Sequence, residues 1–302
     1  MGELIEVLKE KIRGEVRVDE PMQKHTSFKI GGPADIFVLP EGITDIQQVV
    51  QFAYLKKLPL FILGRGSNLL VKDQGIKGIV LKTSPGLNQL EFSGERVRVG
   101  AGVSLPYLAK AACEKSLSGL EFIAGIPGTV GGAVAMNAGA AGHSLDELVS
   151  KVKVMDLSGE IKELSPAELG FGYRKSCLQQ QDWIVLETEL QLRKSNQEEI
   201  RQTMDELLKK RKKNQPLSFP NAGSIFKNPD SSLGPAGRLI DLAGAKGMRV
   251  GDAQVSELHA NFIVNLGSAK ASQVLKLIEE IQKMVKNKFG VHLELEVKIV
   301  GG

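Results

Sequence analysis

An α+β fold of more than one lobe is what this 302-residue sequence predicts, and three patterns carry that reading. The chain opens on two short apolar runs with a one-faced helical segment between them. Its middle alternates apolar and polar residues in the manner of antiparallel strands. Its last third intersperses helical periodicity with short apolar runs. At roughly 150 residues per domain, the length suits two domains.

Residues 4–12 have helical spacing, and residues 34–39 read as a strand. Thr44 followed by Gln47 is a capping-box pattern that opens a helix through Lys56, with Ile46, Val49, Val50 and Ala53 on one face. Residues 60–63 then form a buried strand. Short strands with Gly and Ser turns fill residues 76–100, and Ser104 with Pro106 starts a helix ending near Ser116. Ile184, Leu186, Thr188, Leu190 and Leu192 alternate with Val185, Glu187, Glu189 and Gln191, as one strand of an antiparallel set. A polar helix over residues 195–214 carries Ile200, Met204, Leu207 and Leu208 on one face and ends in the cationic run 209–213. Helices at 236–243 and 272–289, the latter stopped by Gly290, flank a strand at 261–265. The strict alternation over residues 291–299 predicts a last long strand, with His292, Glu294, Glu296 and Lys298 on its polar face.

Composition removes several classes of function. Hydrophobic residues make up 42% and charged residues 25%, which excludes wholesale disorder. The net charge of +4 is too small and too spread for a dedicated nucleic-acid surface, yet it allows an anionic small molecule held by local Arg and Lys. Cys113 and Cys177 make no disulfide framework, and His25, His143, His259 and His292 lack ligand spacing, so no metal is expected. Met1 leads into a charged amphipathic segment and no apolar run nears the ~18 residues of a membrane span. A cytoplasmic protein with no membrane contact is expected, and, with no oligomer signal, a monomer.

The 33 glycines are about 11% of the chain against a usual ~7%, and they cluster. Gly64-Arg65-Gly66-Ser67-Asn68-Leu69 follows directly on an apolar strand. Leu69 stands where a dinucleotide fingerprint needs its third glycine, so this is no Rossmann site, but such a backbone can ring an anion. In Gly125-Ile126-Pro127-Gly128-Thr129-Val130-Gly131-Gly132-Ala133-Val134-Ala135-Met136-Asn137-Ala138-Gly139 bulky side chains are nearly absent. A backbone pressed on a flat ligand or a pyrophosphate needs that, whereas a plain connector does not. Two such loops in one chain point to a dinucleotide held by main chain.

Further segments carry a family resemblance: His25-Thr26-Ser27-Phe28-Lys29-Ile30-Gly31-Gly32, Tyr173-Arg174, Ala222-Gly223-Ser224-Ile225-Phe226-Lys227-Asn228-Pro229, Val255-Ser256-Glu257-Leu258-His259-Ala260-Asn261-Phe262 and Glu296-Val297-Lys298-Ile299. With the two glycine loops, and in this order, they resemble the UDP-N-acetylenolpyruvoylglucosamine reductase family nearly end to end. The chain is similar to the shorter branch, which lacks an extra loop with a substrate-binding tyrosine. The resemblance implies a two-lobed FAD-binding domain of vanillyl-alcohol-oxidase (PCMH) type plus a C-terminal α+β substrate-binding domain. On it, residues 1–80 are the first FAD lobe, 81–195 the second and 196–302 the substrate domain, whose last strand can return to the FAD lobes.

The family passes hydride from NADPH through FAD to UDP-N-acetylglucosamine enolpyruvate, a step of peptidoglycan precursor synthesis and hence of cell-wall growth and division. Carried over residue by residue, the resemblance makes Ser224 the proton donor, Arg174 the cation that polarises the substrate carboxylate and Glu296 the catalytic glutamate. Spacing alone does not separate Glu296 from Glu294, which shares its strand face. In the glycine loops the implied FAD contacts are Gly64 through Leu69, Gly125 through Thr129, Gly131, Gly132, Ala133, Asn137 and Gly139. Tyr173, Lys212, Lys227 and Asn228 are implied substrate contacts, with Lys213 and Arg238 further candidates for its anionic groups. The run 209–213 reads equally as a solvated helix end. Another flavoprotein of the same fold, acting on an alcohol or hydroxy acid, is the alternative, and a covalently tethered flavin would mark it.

Overall fold

The computed structural model describes residues 2–179, 183–230 and 232–302. Two units share the chain by turns. The first takes Met1–Asp19, Asp35–Arg65 and Gly78–Lys210, and the second takes Glu20–Ala34, Gly66–Lys77 and Arg211–Gly302.

In the first unit, a four-stranded sheet has the order Glu15–Pro21, Pro33–Leu39, Ile76–Lys82, Leu60–Leu63. The last two run parallel with Leu63 opposite Lys82, so the strand that leads into the Gly64 loop is held by a neighbour. The helices Gly2–Lys11 and Ile43–Lys56 bury Ile5, Leu8, Ile46, Val49, Val50 and Ala53 against Ile36, Val38, Ile79 and Leu81. Burying each of these Val, Leu and Ile side chains stabilises the fold by about 1.5–3 kcal/mol. The predicted capping box does not form. The helix starts at Ile43 after Gly42, which offers no side chain. Buried Asp45 instead accepts the backbone N–H groups of Glu41, Gly14 and Arg13 at 2.9, 2.9 and 3.1 Å, so a carboxylate inside the first turn ties the helix to the segment before the first strand.

A second sheet of this unit is antiparallel throughout, with the order Ile161–Leu164, Val149–Met155, Ile184–Gln191, Arg96–Gly100, Leu90–Ser93. The alternation in Ile184–Gln191 holds, with Ile184, Leu186, Thr188 and Leu190 buried. Val185 is buried as well, and a register shift in the Val149–Met155 ladder falls beside it. The helix Leu105–Glu114 begins after Ser104, as Pro106 predicts.

In the second unit, the strands Arg249–Val250, Ala253–Val255 and Ile263–Asn265 form an antiparallel sheet under the helix Ala271–Phe289. That helix buries Val274, Leu277, Ile278, Ile281 and Val285 along one stripe and stops at Gly290. Fully buried Phe28, Ile30 and Leu70, from the first quarter of the chain, belong to this same core. The predicted long strand at 291–299 is corrected. Only Lys298–Val300 is strand, pairing in parallel with Leu69–Val71. The alternation upstream is one of burial, with Leu293 and Val297 inside. The backbone there is spent singly, on Lys227, Ile225, Gln282 and Asn68, in place of a continuous ladder. The expected strand at 261–265 also shortens to Ile263–Asn265, because Asn261 serves another purpose. Among the described residues no helix is long and apolar enough to cross a membrane.

Candidate active site

The two glycine loops meet within the first unit. A Cβ on Gly64 would run into the Thr129 hydroxyl, so glycine lets the Thr129 side chain lie against this backbone. Thr129 is buried, and its Oγ1 has no hydrogen-bond partner among the described residues. Its loop is held by main chain: Leu105 N–H donates to Gly128 O at 3.1 Å, Val130 N–H to Val103 O at 2.9 Å, and Gly131 N–H to Ala101 O at 2.9 Å. An enclosed hydroxyl left unpaired costs about 1–3 kcal/mol. Lys82 stands opposite Leu63, just before the first loop. Burial, with the like charges of Arg17 and Arg65, pushes its ammonium below the ordinary lysine value. Arg17 is itself paired with Glu15, at 2.7 and 2.8 Å, which leaves Arg65 and Lys82 as the cations that suit a polyanion at this loop.

The far end of the first loop lies in the second unit. Gly66 has φ +66°, and a Cβ there would strike the His25 carbonyl. Ser27 N–H donates to Gly66 O at 3.0 Å. Asn68 Nδ2 donates to Glu296 O at 2.9 Å, and Lys298 N–H donates to Asn68 O at 3.0 Å.

Tyr173 and Arg174 form the tip of a two-residue turn in the first unit, closed by the pair Gly172 and Lys175 with bonds of 3.0 and 3.1 Å. Arg174 takes φ +55°, which a non-glycine residue holds at a cost of about 1–2 kcal/mol. The turn is pinned to the second glycine loop. Asn137 Nδ2 donates to Gly172 O at 3.0 Å, Ser176 Oγ to Ala135 O at 2.7 Å, and Arg174 Nη2 to Gly139 O at 3.0 Å. The guanidinium also lies 5.1 Å from the centre of the exposed Tyr173 ring.

Ser224 and Glu296, 72 positions apart in sequence, share one corner of the second unit. Ile225 O accepts Glu296 N–H at 2.8 Å and Val297 N–H at 3.3 Å, and Phe226 bridges Leu295. Both residues are half-buried. The structure separates the two glutamates that spacing left together. Glu294 is exposed, with its carboxylate 3.4 Å from Lys227 Nζ. Lys212 is exposed on the last turn of the helix Gln197–Asn214, and Asn228 Oδ1 accepts Ala236 N–H at 3.1 Å.

Sequence reasoning gave Asn261 no role. It is buried, and its Oδ1 accepts Phe226 N–H at 3.0 Å while its Nδ2 donates to Phe226 O at 2.8 Å. Its own carbonyl accepts Ile225 N–H at 2.9 Å. One asparagine thus clamps both residues after Ser224. Its only signal was a polar residue inside an apolar run. Near it, burial pushes the His259 imidazole below its ordinary value, and the ring packs edge-on against Phe262. Among the described residues, no three His, Cys, Asp or Glu side chains group as metal ligands.

Comparison with known proteins gives the family. The profile described as "FAD binding domain" matches residues 34–165, and that described as "UDP-N-acetylenolpyruvoylglucosamine reductase, C-terminal domain" matches residues 215–300. UDP-N-acetylenolpyruvoylglucosamine reductase of Caldanaerobacter subterraneus subsp. tengcongensis is 48% identical over 100% of this chain and 98% of its own. The chain belongs to the UDP-N-acetylenolpyruvoylglucosamine reductase family. The crystal structure of the family's Thermus caldophilus enzyme is 39% identical, covers 96% of this chain and 100% of its own, and has a TM-score of 0.81. A Physcomitrella patens BBE-like protein, 17% identical, shares the fold over 63% of this chain and 44% of its own, with a TM-score of 0.50. This member of the reductase family is therefore an FAD-dependent oxidoreductase of peptidoglycan synthesis, with an α+β fold built on an FAD-binding domain. The Thr129 hydroxyl, the Gly64 approach and the cations Arg65 and Lys82 fit the cofactor's polar and pyrophosphate parts.

Proposed function

We propose that the chain reduces the enolpyruvyl ether of UDP-N-acetylglucosamine enolpyruvate to the lactyl ether of UDP-N-acetylmuramate, with NADPH as the electron source. Bound FAD supplies the hydride, taken from NADPH, to the vinyl carbon of the substrate. Ser224 gives a proton from Oγ to the adjacent carbon, and solvent restores it. Arg174 holds the substrate carboxylate and stays charged throughout, which stabilises the negative charge that builds beside it. Glu296 completes the catalytic set with Ser224 and Arg174 at the reacting end of the substrate. Tyr173, Lys212, Lys227 and Asn228 contact the substrate, and the glycine loops with Asn137 hold FAD.

The observation that carries this reading is the Ser224–Glu296 corner. A hydroxyl on a bend with positive φ at Gly223 and a half-buried carboxyl are fixed together by main-chain bonds to Ile225. The test is a two-step anaerobic experiment on Ser224→Ala. NADPH should bleach the bound flavin at the wild-type rate, and added substrate should then fail to restore the colour. Full turnover in this variant would remove Ser224 from the proton transfer.

A further inference from the structure

Within the second glycine loop, Asn137 spends its side chain on neighbours in the protein. It is 3% exposed, with φ +43°. Its Nδ2 donates to Gly172 O at 3.0 Å, at the base of the Tyr173–Arg174 turn, and its Oδ1 accepts Asp146 N–H at 3.1 Å. Both ends of the amide are thus engaged inside the first unit. Two residues on, Gly139 O accepts Arg174 Nη2 at 3.0 Å. The segment 137–139 therefore grips the turn twice, once at its base and once at the guanidinium. A further bond runs the other way: Ser176, fully buried, donates from Oγ to Ala135 O at 2.7 Å.

The position has narrow requirements. A left-handed backbone suits glycine, asparagine and aspartate. A side chain that both donates to a carbonyl and accepts an N–H excludes glycine, and it excludes aspartate, whose carboxylate only accepts. Asparagine meets every demand. What it supports is strained: Arg174 at φ +55° keeps its conformation only while surrounding bonds fix it. Gly172 O also accepts Lys175 N–H at 3.1 Å, so the Asn137 bond lands on the pair that closes the turn. We infer that Asn137, seconded by Ser176, is a positioning residue for substrate reduction. Its main chain belongs to the cofactor loop, while its amide, through Gly172, sets the pose in which Arg174 meets the substrate carboxylate. This rests on the reductase reading for the role of Arg174. The two half-reactions then depend on Asn137 differently. Reduction of the flavin by NADPH involves no enolpyruvyl carboxylate, so it needs the loop but not the arginine pose. Reduction of the enolpyruvyl ether needs both, and misplacing such a group by about 1 Å costs on the order of a hundredfold in rate.

The test compares full-length, FAD-saturated Asn137→Gly and Asn137→Asp with the wild type by anaerobic stopped flow, reading flavin absorbance in two separate mixes. Both replacements tolerate the left-handed backbone. Glycine removes both side-chain bonds, whereas aspartate keeps the acceptor for Asp146 N–H and loses only the donor to Gly172. In each variant, bleaching by NADPH should stay within about twofold of the wild-type rate. Reoxidation of the bleached flavin by UDP-N-acetylglucosamine enolpyruvate should slow by about tenfold or more. Equal slowing of both steps would make Asn137 a general support of the cofactor loop and overturn the inference, as would two unchanged rates. Slow reoxidation in Asn137→Gly alone would move the role to the Asp146 bond and overturn it too. Should neither variant hold FAD, Ser176→Ala decides, because it removes only the companion bond to Ala135 O. The same split between the two steps supports the clamp, and wild-type rates or equal slowing overturn it. A wild-type protein whose bleached flavin ignores the substrate would refute the reductase reading and the inference with it, whereas the other outcomes bear on the inference alone.

Discussion

At the scale of single residues, the site is recognisable by polar groups whose partners are either unusually complete or missing. Asn261 is complete. It makes bonds to both backbone groups of Phe226, and the replacement Asn261→Leu would leave them buried and unpaired. We expect it to lose about 2–4 kcal/mol in denaturant unfolding and to lower kcat more than it raises the substrate KM. An unchanged kcat in folded variant would mean that the clamp does not position Ser224. Thr129 is the opposite case. Thr129→Val removes a hydroxyl that has no partner in the protein, so the apoprotein should melt no lower than the wild type. Its dissociation constant for FAD should rise about tenfold, equivalent to one hydrogen bond. Unchanged FAD affinity would show that the hydroxyl does not face the cofactor.

At the scale of elements, remote segments finish what local sequence leaves open. The helix Ala271–Phe289 has no short polar N-cap residue of its own, since Lys270 occupies that place. Asp73, 198 positions earlier than Ala271, supplies the cap: its carboxylate oxygens accept Ala271 N–H at 2.8 Å and Ser272 N–H at 3.1 Å. Partial burial alone would raise this carboxyl, but the two N–H bonds, the Ser272 hydroxyl and the Lys270 charge together outweigh it and hold Asp73 below its ordinary value. A depressed carboxyl stabilises the fold above its unfolded pKa and stops doing so as pH falls through its folded one. Asp73→Ala should therefore cost about 1 kcal/mol at neutral pH. The difference from wild type should shrink below about pH 4 and vanish in stronger acid. A gap that persists at low pH would assign the loss to something other than the charged cap. The Tyr173–Arg174 turn shows the same dependence on remote partners. Its strained arginine is retained because Asn137 Nδ2, Ala135 O and Gly139 O of the glycine loop hold the turn and its flank.

At the scale of the whole molecule, the decisive feature is that the units interleave along the chain. Glu20–Ala34 and Gly66–Lys77 belong with Arg211–Gly302. Residues 211–302 alone would lack Phe28, Ile30 and Leu70 from their core and the Leu69–Val71 partner of the last strand. That fragment, expressed by itself, should show no cooperative thermal unfolding. A sharp transition from the isolated fragment would mean that the N-terminal insertions are dispensable to this unit.

What the sequence determined by itself was the content of the elements and the identity of the chemistry. Helical stripes such as Val274, Leu277, Ile278, Ile281 and Val285, and the alternation in Ile184–Gln191, follow from local periodicity. The glycine loops are legible from composition, and at Gly64, Gly66 and Gly139 a Cβ would meet a neighbouring atom too closely. The family resemblance, carried by ordered motifs, named the cofactor and the reductase class that the comparisons then showed. Tertiary structure alone separated Glu294 from Glu296, which share one period: Glu294 is exposed beside Lys227, whereas Glu296 is half-buried and its N–H donates to Ile225 O. It also decided that residues 291–297 are not strand, since alternating burial needs only a neighbouring core whereas a strand needs a continuous partner. Finally it decided the clamp at Asn261, the cap at Asp73 and the bond from Asn137 to Gly172. Each is a pairing between groups that local sequence holds apart, and only the folded chain brings such groups within hydrogen-bond distance.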